Sequence, residues 1–143
     1  MNKKAELFKA YLEENNITCF EMMEVKDNLD TVVFRSTISV EGQQLPTLII
    51  LDNTFISTVR VFVAGNAVNE DNEKTLLQLV NKINNQQKIM KHYLAEDGSL
   101  VIDYTQTGKV DELDSQLLMF VILEVIVKHL EAEYKGIMKT IWA

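Results

Sequence analysis

The sequence predicts an α+β fold, in which an antiparallel sheet of five or six strands carries helices mainly on one face. Residues 31–64 contain three strand-like segments separated by short turns, and segments of helical periodicity lie before and after them. Two more strand-like segments flank the Asp-Gly dipeptide at residues 97–98, which is a strong local hairpin signal. The predicted order is α-(β)-βββ-α-ββ-α, where the bracketed strand has the weakest pattern.

The composition is that of one folded domain spanning residues 1–143, without internal repeats or a proline-rich linker. Hydrophobic residues make up 47% of the chain, which excludes a disordered acidic tail. The net charge of -7 argues against nucleic acid and anionic membranes as partners, because binding to phosphates needs clustered Lys and Arg.

Cysteine usage and the first residues favour a cytoplasmic location. The single cysteine, Cys19, cannot form an internal disulfide, which is compatible with a reducing compartment. No apolar run follows the basic residues Lys3 and Lys4, so no signal peptide is expected. The longest apolar stretch, residues 117–127, is too short to cross a membrane, which takes about 20 residues.

The N-terminal region predicts a helix followed by a meander of strands. Residues 3–14 carry an apolar stripe on an otherwise charged segment, which is typical of an amphipathic helix. Residues 18–25 alternate without clear sidedness and predict a short edge strand. Residues 31–40, 47–51 and 58–64 predict three antiparallel strands.

A second helix and a hairpin are predicted next. Leu76, Leu79, Val80 and Ile83 have helical spacing. The run Glu70-Asp71-Asn72-Glu73 before them is interpreted as helix-capping rather than as a cation site. Residues 88–94 and 99–105 then form the predicted hairpin. Its Asp97-Gly98 turn is expected to be of type I′, with a positive φ at Gly98.

The almost uniformly apolar residues 117–127 predict a helix that is buried all round, since a surface helix has one polar face. Asp111, Asp114 or Ser115 could cap its start. Truncating Phe120 or Ile122 to alanine is therefore expected to cost about 2 to 5 kcal/mol.

Candidate catalytic chemistry is sparse, and the chain is not expected to be an enzyme or to bind a cofactor or metal. His92 and His129 show no metal-ligand spacing and are interpreted as structural. Cys19 has no neighbouring histidine or basic cluster that would activate it. The glycines form neither a dinucleotide fingerprint nor a phosphate-binding loop.

The stretch from Asn81 to Val101 resembles the bacterial YbjN-like family. A helix ends near an Asn, a strand starts with Lys, and an acidic-Gly hairpin leads to a second strand; the matching residues are Asn84, Lys88, Lys91, Asp97, Gly98 and Leu100. This family shares the fold of type III secretion chaperones. The resemblance implies a homodimer-prone, non-enzymatic protein-binding domain, and it supplies no catalytic residue.

Surplus apolar residues in the strands predict a protein partner, either another protein or a second copy of the chain. Helices on one sheet face leave Ile49, Leu51, Phe62 and Tyr93 without an obvious cover. Trp142 could dock on its own chain or join an interface. A wrapping helix or a curled sheet could cover the same face instead. The alternative function is an enzyme or small-ligand binder with a pocket between the sheet and the helices.

Overall fold

The computed structural model describes residues 1–143 as an open, six-stranded antiparallel sheet with helices, which confirms the predicted α+β class and element order. The elements are α1 (Lys3–Glu14), β1 (Glu21–Glu24), β2 (Val32–Val40), β3 (Gln43–Leu51), β4 (Ile56–Ala64), α2 (Glu73–Gln86), β5 (Met90–Leu94), β6 (Leu100–Thr107), α3 (Ser115–Phe120), a π-helical segment (Val121–Ile126) and α4 (Val127–Ile141). The last three elements follow one another without a break, and residues 115–141 are called the C-terminal helix below.

The strand order in the sheet is β1-β2-β3-β4-β6-β5. β1 to β4 form a meander, and the β5–β6 hairpin adds to it through β6, which pairs with β4. The segment with the weakest strand pattern is β1, at one edge, and β5 is the other edge. α2 packs against β5, and α4 packs against β2 and α2, so helices reach both halves of the sheet.

One sheet face forms the core together with the helices, and strand alternation decides which residues belong to it. Val59, Val61 and Val63 of β4 point into the core. Ile49 pairs with Val59, and both side chains are fully buried. Directly paired residues of antiparallel strands share a face, so Ile49 and Leu51 lie on the core face. The expectation that they share a patch with Phe62 is therefore wrong.

The C-terminal helix lies on the surface of the domain rather than at its centre. Leu118, Ile122 and Ile126 are buried, whereas Phe120 is 55% exposed and Leu123 is 52% exposed. A helix in a two-layer domain has only one side against the sheet. The expectation of burial all round is thus wrong, as is the large cost expected for Phe120→Ala. Of the three candidate caps, the Asp114 side chain accepts a hydrogen bond from Leu117 N at 3.0 Å.

The β5–β6 hairpin confirms the positive φ at Gly98, which is +84°. Gly98 N donates to Ala95 O at 2.9 Å, and Ala95 N donates to Ser99 O at 2.8 Å. Asp97 has no positive φ, so the loop is a turn closed by a left-handed glycine, and the predicted type I′ geometry is wrong here. That geometry requires two positive φ values, which occur at Glu41 and Gly42 between β2 and β3.

Candidate functional site

The sheet face opposite the core carries apolar side chains that no helix covers. Phe62 and Tyr93 both pair with Val101, on opposite sides of it, so the three form one row across β4, β6 and β5. Phe62 and Tyr93 are half-buried, Val101 between them is 1% exposed, and none of the three belongs to the core cluster. We call this surface the open face; its other half-buried apolar members are Val33, Leu48 and Ile50.

A polar network fixes the middle of the open face. Arg60 donates two hydrogen bonds to the Asp103 carboxylate, from Nε and Nη2, each at 2.9 Å. The Tyr93 hydroxyl donates to Asp103 Oδ2 at 3.2 Å, and Lys91 Nζ lies 4.8 Å from the centre of the Tyr93 ring. The hydrogen bond to Asp103 raises the pKa of Arg60, and burial raises the pKa of Tyr93. The network therefore holds the Tyr93 ring beside Val101 in its neutral form.

The residues predicted to bind a partner fall into three places. Phe62 and Tyr93 come together on the open face, and Ile49 and Leu51 lie in the core. Trp142 is 68% exposed just after α4, where its backbone N–H donates to Met138 O. Partner binding stays a prediction for Phe62, Tyr93 and Trp142, whose side chains are accessible.

The C-terminal helix carries an exposed apolar stripe that was not predicted from the sequence, formed by Leu117, Phe120 and Leu123. These side chains are 40%, 55% and 52% exposed, whereas Leu118 and Ile122 between them are buried in the core, so the three share the outer side of the C-terminal helix. The sequence did contain a signal for this stripe, namely the almost uniformly apolar residues 117–127. A helix of a two-layer fold that is apolar on all sides must expose one apolar side. We call this surface the helix stripe.

A cavity of about 620 Å³ lies between α1, the start of β4 and the loop before α3. Lys4, on its wall, is 1% exposed, and Nζ donates to Thr54 O, Ile56 O and Ser57 Oγ at 2.8 to 3.0 Å. Burial lowers the pKa of Lys4, and the Asp52 carboxylate at 4.0 Å opposes that shift. All three ammonium protons thus join α1 to the β3–β4 connection, and none is left to meet a ligand in the cavity.

Two histidines that are far apart in the sequence are in direct contact. His92 Nε2 on β5 lies 2.8 Å from His129 Nε2 on α4. Burial lowers the pKa of His92 to about 4, and burial also lowers the pKa of His129. No local spacing indicates this pair, because 37 residues separate its members.

Other candidate groups have ordinary roles. Cys19 is a free, exposed thiol. In the polar turn before α2, Asn69 N donates to the Asn72 side chain and Asn72 N donates to the Asn69 side chain, which ties this turn to the helix start. No three His, Cys, Asp or Glu side chains come close enough together to hold a metal ion. None of the helices combines the length and the apolar character needed to span a membrane.

The fold and these surfaces define a small α+β domain with uncovered apolar surface on its sheet and on its last helix. The family model of YbjN matches residues 4–123 and carries the description "Putative bacterial sensory transduction regulator". The chain belongs to this family, which confirms the resemblance seen in the sequence. A comparison with curated proteins gives no match.

Proposed function

We propose that this chain is a non-enzymatic regulatory module that acts by binding protein through apolar surface outside its core. One observation carries the proposal: the row of Phe62, Val101 and Tyr93 lies on a sheet face that no helix covers. Apolar side chains that stay accessible together on one face of a protein often mark an interaction site. The family description as a regulator supports the same class of function.

The open face suits an extended or sheet-like protein surface. Two sheets pack face to face when their apolar side chains interdigitate, and the half-buried side chains of the open face supply such a layer. The Arg60–Asp103 pair at its centre satisfies its own charges, so a partner can cover it without leaving an unpaired ion. Such binding is what the resemblance to the YbjN-like family implies, and the free thiol of Cys19 fits action in the cytoplasm.

Self-association is the second part of the proposal, and the helix stripe is its proposed surface. In an antiparallel pairing about a two-fold axis at Phe120, Leu117 meets the partner's Leu123, because each lies three residues from the axis. Gln116 and Glu124 lie four residues from it on either side, so each carboxylate meets an amide rather than a second carboxylate. This pairing thus places apolar side chains opposite each other and keeps the two Glu124 carboxylates apart.

The experiment separates the two surfaces by one type of substitution, Phe→Glu, at three positions. Sedimentation at several concentrations is expected to show a dimer for the wild type and for Phe62→Glu, and a monomer for Phe120→Glu. Phe55→Glu is the matched control, since Phe55 is 60% exposed and is not one of the residues that define either surface.

A pull-down from the lysate of the source bacterium tests the open face. Proteins that bind the wild type and Phe55→Glu, but not Phe62→Glu, would support it. A wild type that is monomeric at every concentration would refute self-association. If the same proteins are retained by Phe62→Glu, or if this variant is unfolded in circular dichroism, Phe62 does not act as a partner contact.

A further inference from the structure

The contact between His92 and His129 joins the edge strand β5 to α4. His92 is 1% exposed and His129 is half-buried. Their Nε2 atoms are 2.8 Å apart, and the ring centres are 4.9 Å apart, with the ring planes at 73°. The distance between the ring centres exceeds the distance between the nitrogens by almost twice the distance from a ring centre to its own nitrogen. Both nitrogens therefore lie close to the line that joins the two ring centres. Each nitrogen therefore points at the other, as in a hydrogen bond, rather than both pointing at a common ion.

Proton counting shows that this contact requires at least one neutral ring. A hydrogen bond between two imidazole nitrogens needs one donor and one acceptor. Gln87 Nε2 lies 3.1 Å from His129 Nδ1, so when the amide donates, the proton of His129 is on Nε2 and is donated to His92. The proton of His92 is then on Nδ1, which is buried and has no partner. Two charged rings would place two N–H donors against each other.

The two histidines differ in the charged groups that surround them. On α4, the Glu133 carboxylate favours the charged form of His129 and raises its pKa, against the larger effect of burial. His92 faces no carboxylate: its neighbour on β6 is the buried Ile102, and on α2 Asn84 exchanges two hydrogen bonds with its backbone, at 2.8 and 2.9 Å. A first proton is accommodated near Glu133, whereas a second charge on His92 has no counter-ion.

We propose that the His92–His129 contact is a pH-sensitive switch, which holds β5 against α4 at neutral pH and releases this edge strand when both rings are protonated in mild acid. The adjacent residue on β5 is Tyr93, which belongs to the open face. Release of β5 therefore moves a residue of the proposed binding surface, and this consequence for binding rests on the function proposed above. The switch itself does not depend on it.

The direction of the pH effect follows from proton uptake. An unfolded histidine has a pKa near 6.5, and the folded value for His92 is about 4. Between these values the unfolded or released state binds more protons, so stability falls as the pH falls through this window. Each pKa unit corresponds to a tenfold change, so we expect the folding equilibrium constant to drop at least about tenfold from pH 7 to pH 5.

The chain has only two histidines, which makes the test clean. Two-dimensional NMR of the imidazole nitrogens during a titration should show His92 still neutral at pH 6, well above its pKa of about 4. Hydrogen exchange, corrected for the intrinsic rate, should show lost protection in β5 at pH 5 while β3 stays protected. His129→Gln keeps an amide donor for His92 and should lose less stability than the wild type between pH 7 and pH 5.

A His92 imidazole signal that titrates with the ordinary value near 6.5 would overturn the proposal. So would β5 amides whose protection is the same at both pH values. Since both of these measurements use the wild type, a variant that fails to fold does not spoil the test. Because neither measures binding, the switch can be established or refuted separately from the proposed function.

Discussion

Lys4 holds α1 against the connection between β3 and β4 although burying an ammonium group is costly. The cost is offset because each of its three protons meets an oxygen, two of them backbone carbonyls and one the Ser57 hydroxyl. Asn2 acts beside it: its side chain caps α1 by accepting from Ala5 N and donates to the carbonyls of Asp30 and Leu51. The start of the chain is thus attached to the sheet by polar groups as well as by Phe8.

At the residue scale, Ile122 and Phe120 offer a matched comparison within one helix. Ile122 is 3% exposed, and Phe120 is 55% exposed. We expect Ile122→Ala to lower the free energy of unfolding by about 2 to 5 kcal/mol, because it leaves a cavity in the core. Phe120→Ala should change it by less than about 1 kcal/mol, as at exposed positions.

Urea denaturation of both variants, with the protein dilute enough to be monomeric, measures the difference. Equal losses for the two variants would contradict the placement of the C-terminal helix. The dilution matters because self-association through the helix stripe would add stability that the Phe120 variant lacks.

Some residue roles could not be predicted from the sequence. The buried ammonium of Lys4 depends on oxygens about 50 residues away, whereas the local pattern of α1 assigns a lysine to its charged side. The histidine pair likewise exists only after β5 and α4 have packed. Both contacts join residues that are far apart in the sequence. Local sequence patterns carry no information about such contacts.

At the element scale, two glycines allow a test of turn and helix geometry. Gly98 has a φ of +84°, which an L side chain rarely adopts, whereas Gly136 lies within α4 with open space around the position of a Cβ. We expect Gly98→Ala to destabilise the domain by about 1 to 2 kcal/mol. Gly136→Ala should stabilise it by about 0.5 to 1 kcal/mol through better helix propensity.

Thermal unfolding of the two variants, which carry the same chemical change, should shift the midpoint in opposite directions. A stabilising Gly98→Ala would mean that the loop between β5 and β6 does not need its left-handed glycine. If Gly136→Ala destabilises instead, the C-terminal helix does not continue through this position.

Element order was predictable from the sequence because it depends on local periodicity and turn residues. Which face of each strand and helix is buried was harder to predict. Residues 47–51 are apolar at most positions, so alternation could not assign Ile49 to the core or Leu48 to the open face; only the pairing of β3 with β4 does so. The C-terminal helix was misplaced for a related reason, since apolar composition does not distinguish a buried side from an interaction surface.

At the scale of the whole molecule, shape and charge have opposite effects on association. The domain leaves apolar surface on the open face and on the helix stripe, which favours contact with a second copy. Each copy also carries a net charge of -7, which opposes it. Repulsion between like-charged molecules is screened by salt, whereas contact between apolar side chains is not weakened by it.

The proposed homodimer should therefore bind more tightly as sodium chloride is raised. Between low salt and about 0.5 M, where the Debye length falls to only a few Å, sedimentation should show a lower dimer dissociation constant for the wild type. Phe120→Glu carries one more negative charge and has lost the centre of the stripe, so it should stay monomeric throughout. A wild-type dimer that dissociates as salt is added would instead be held by ion pairs, and the helix stripe would then not be its interface.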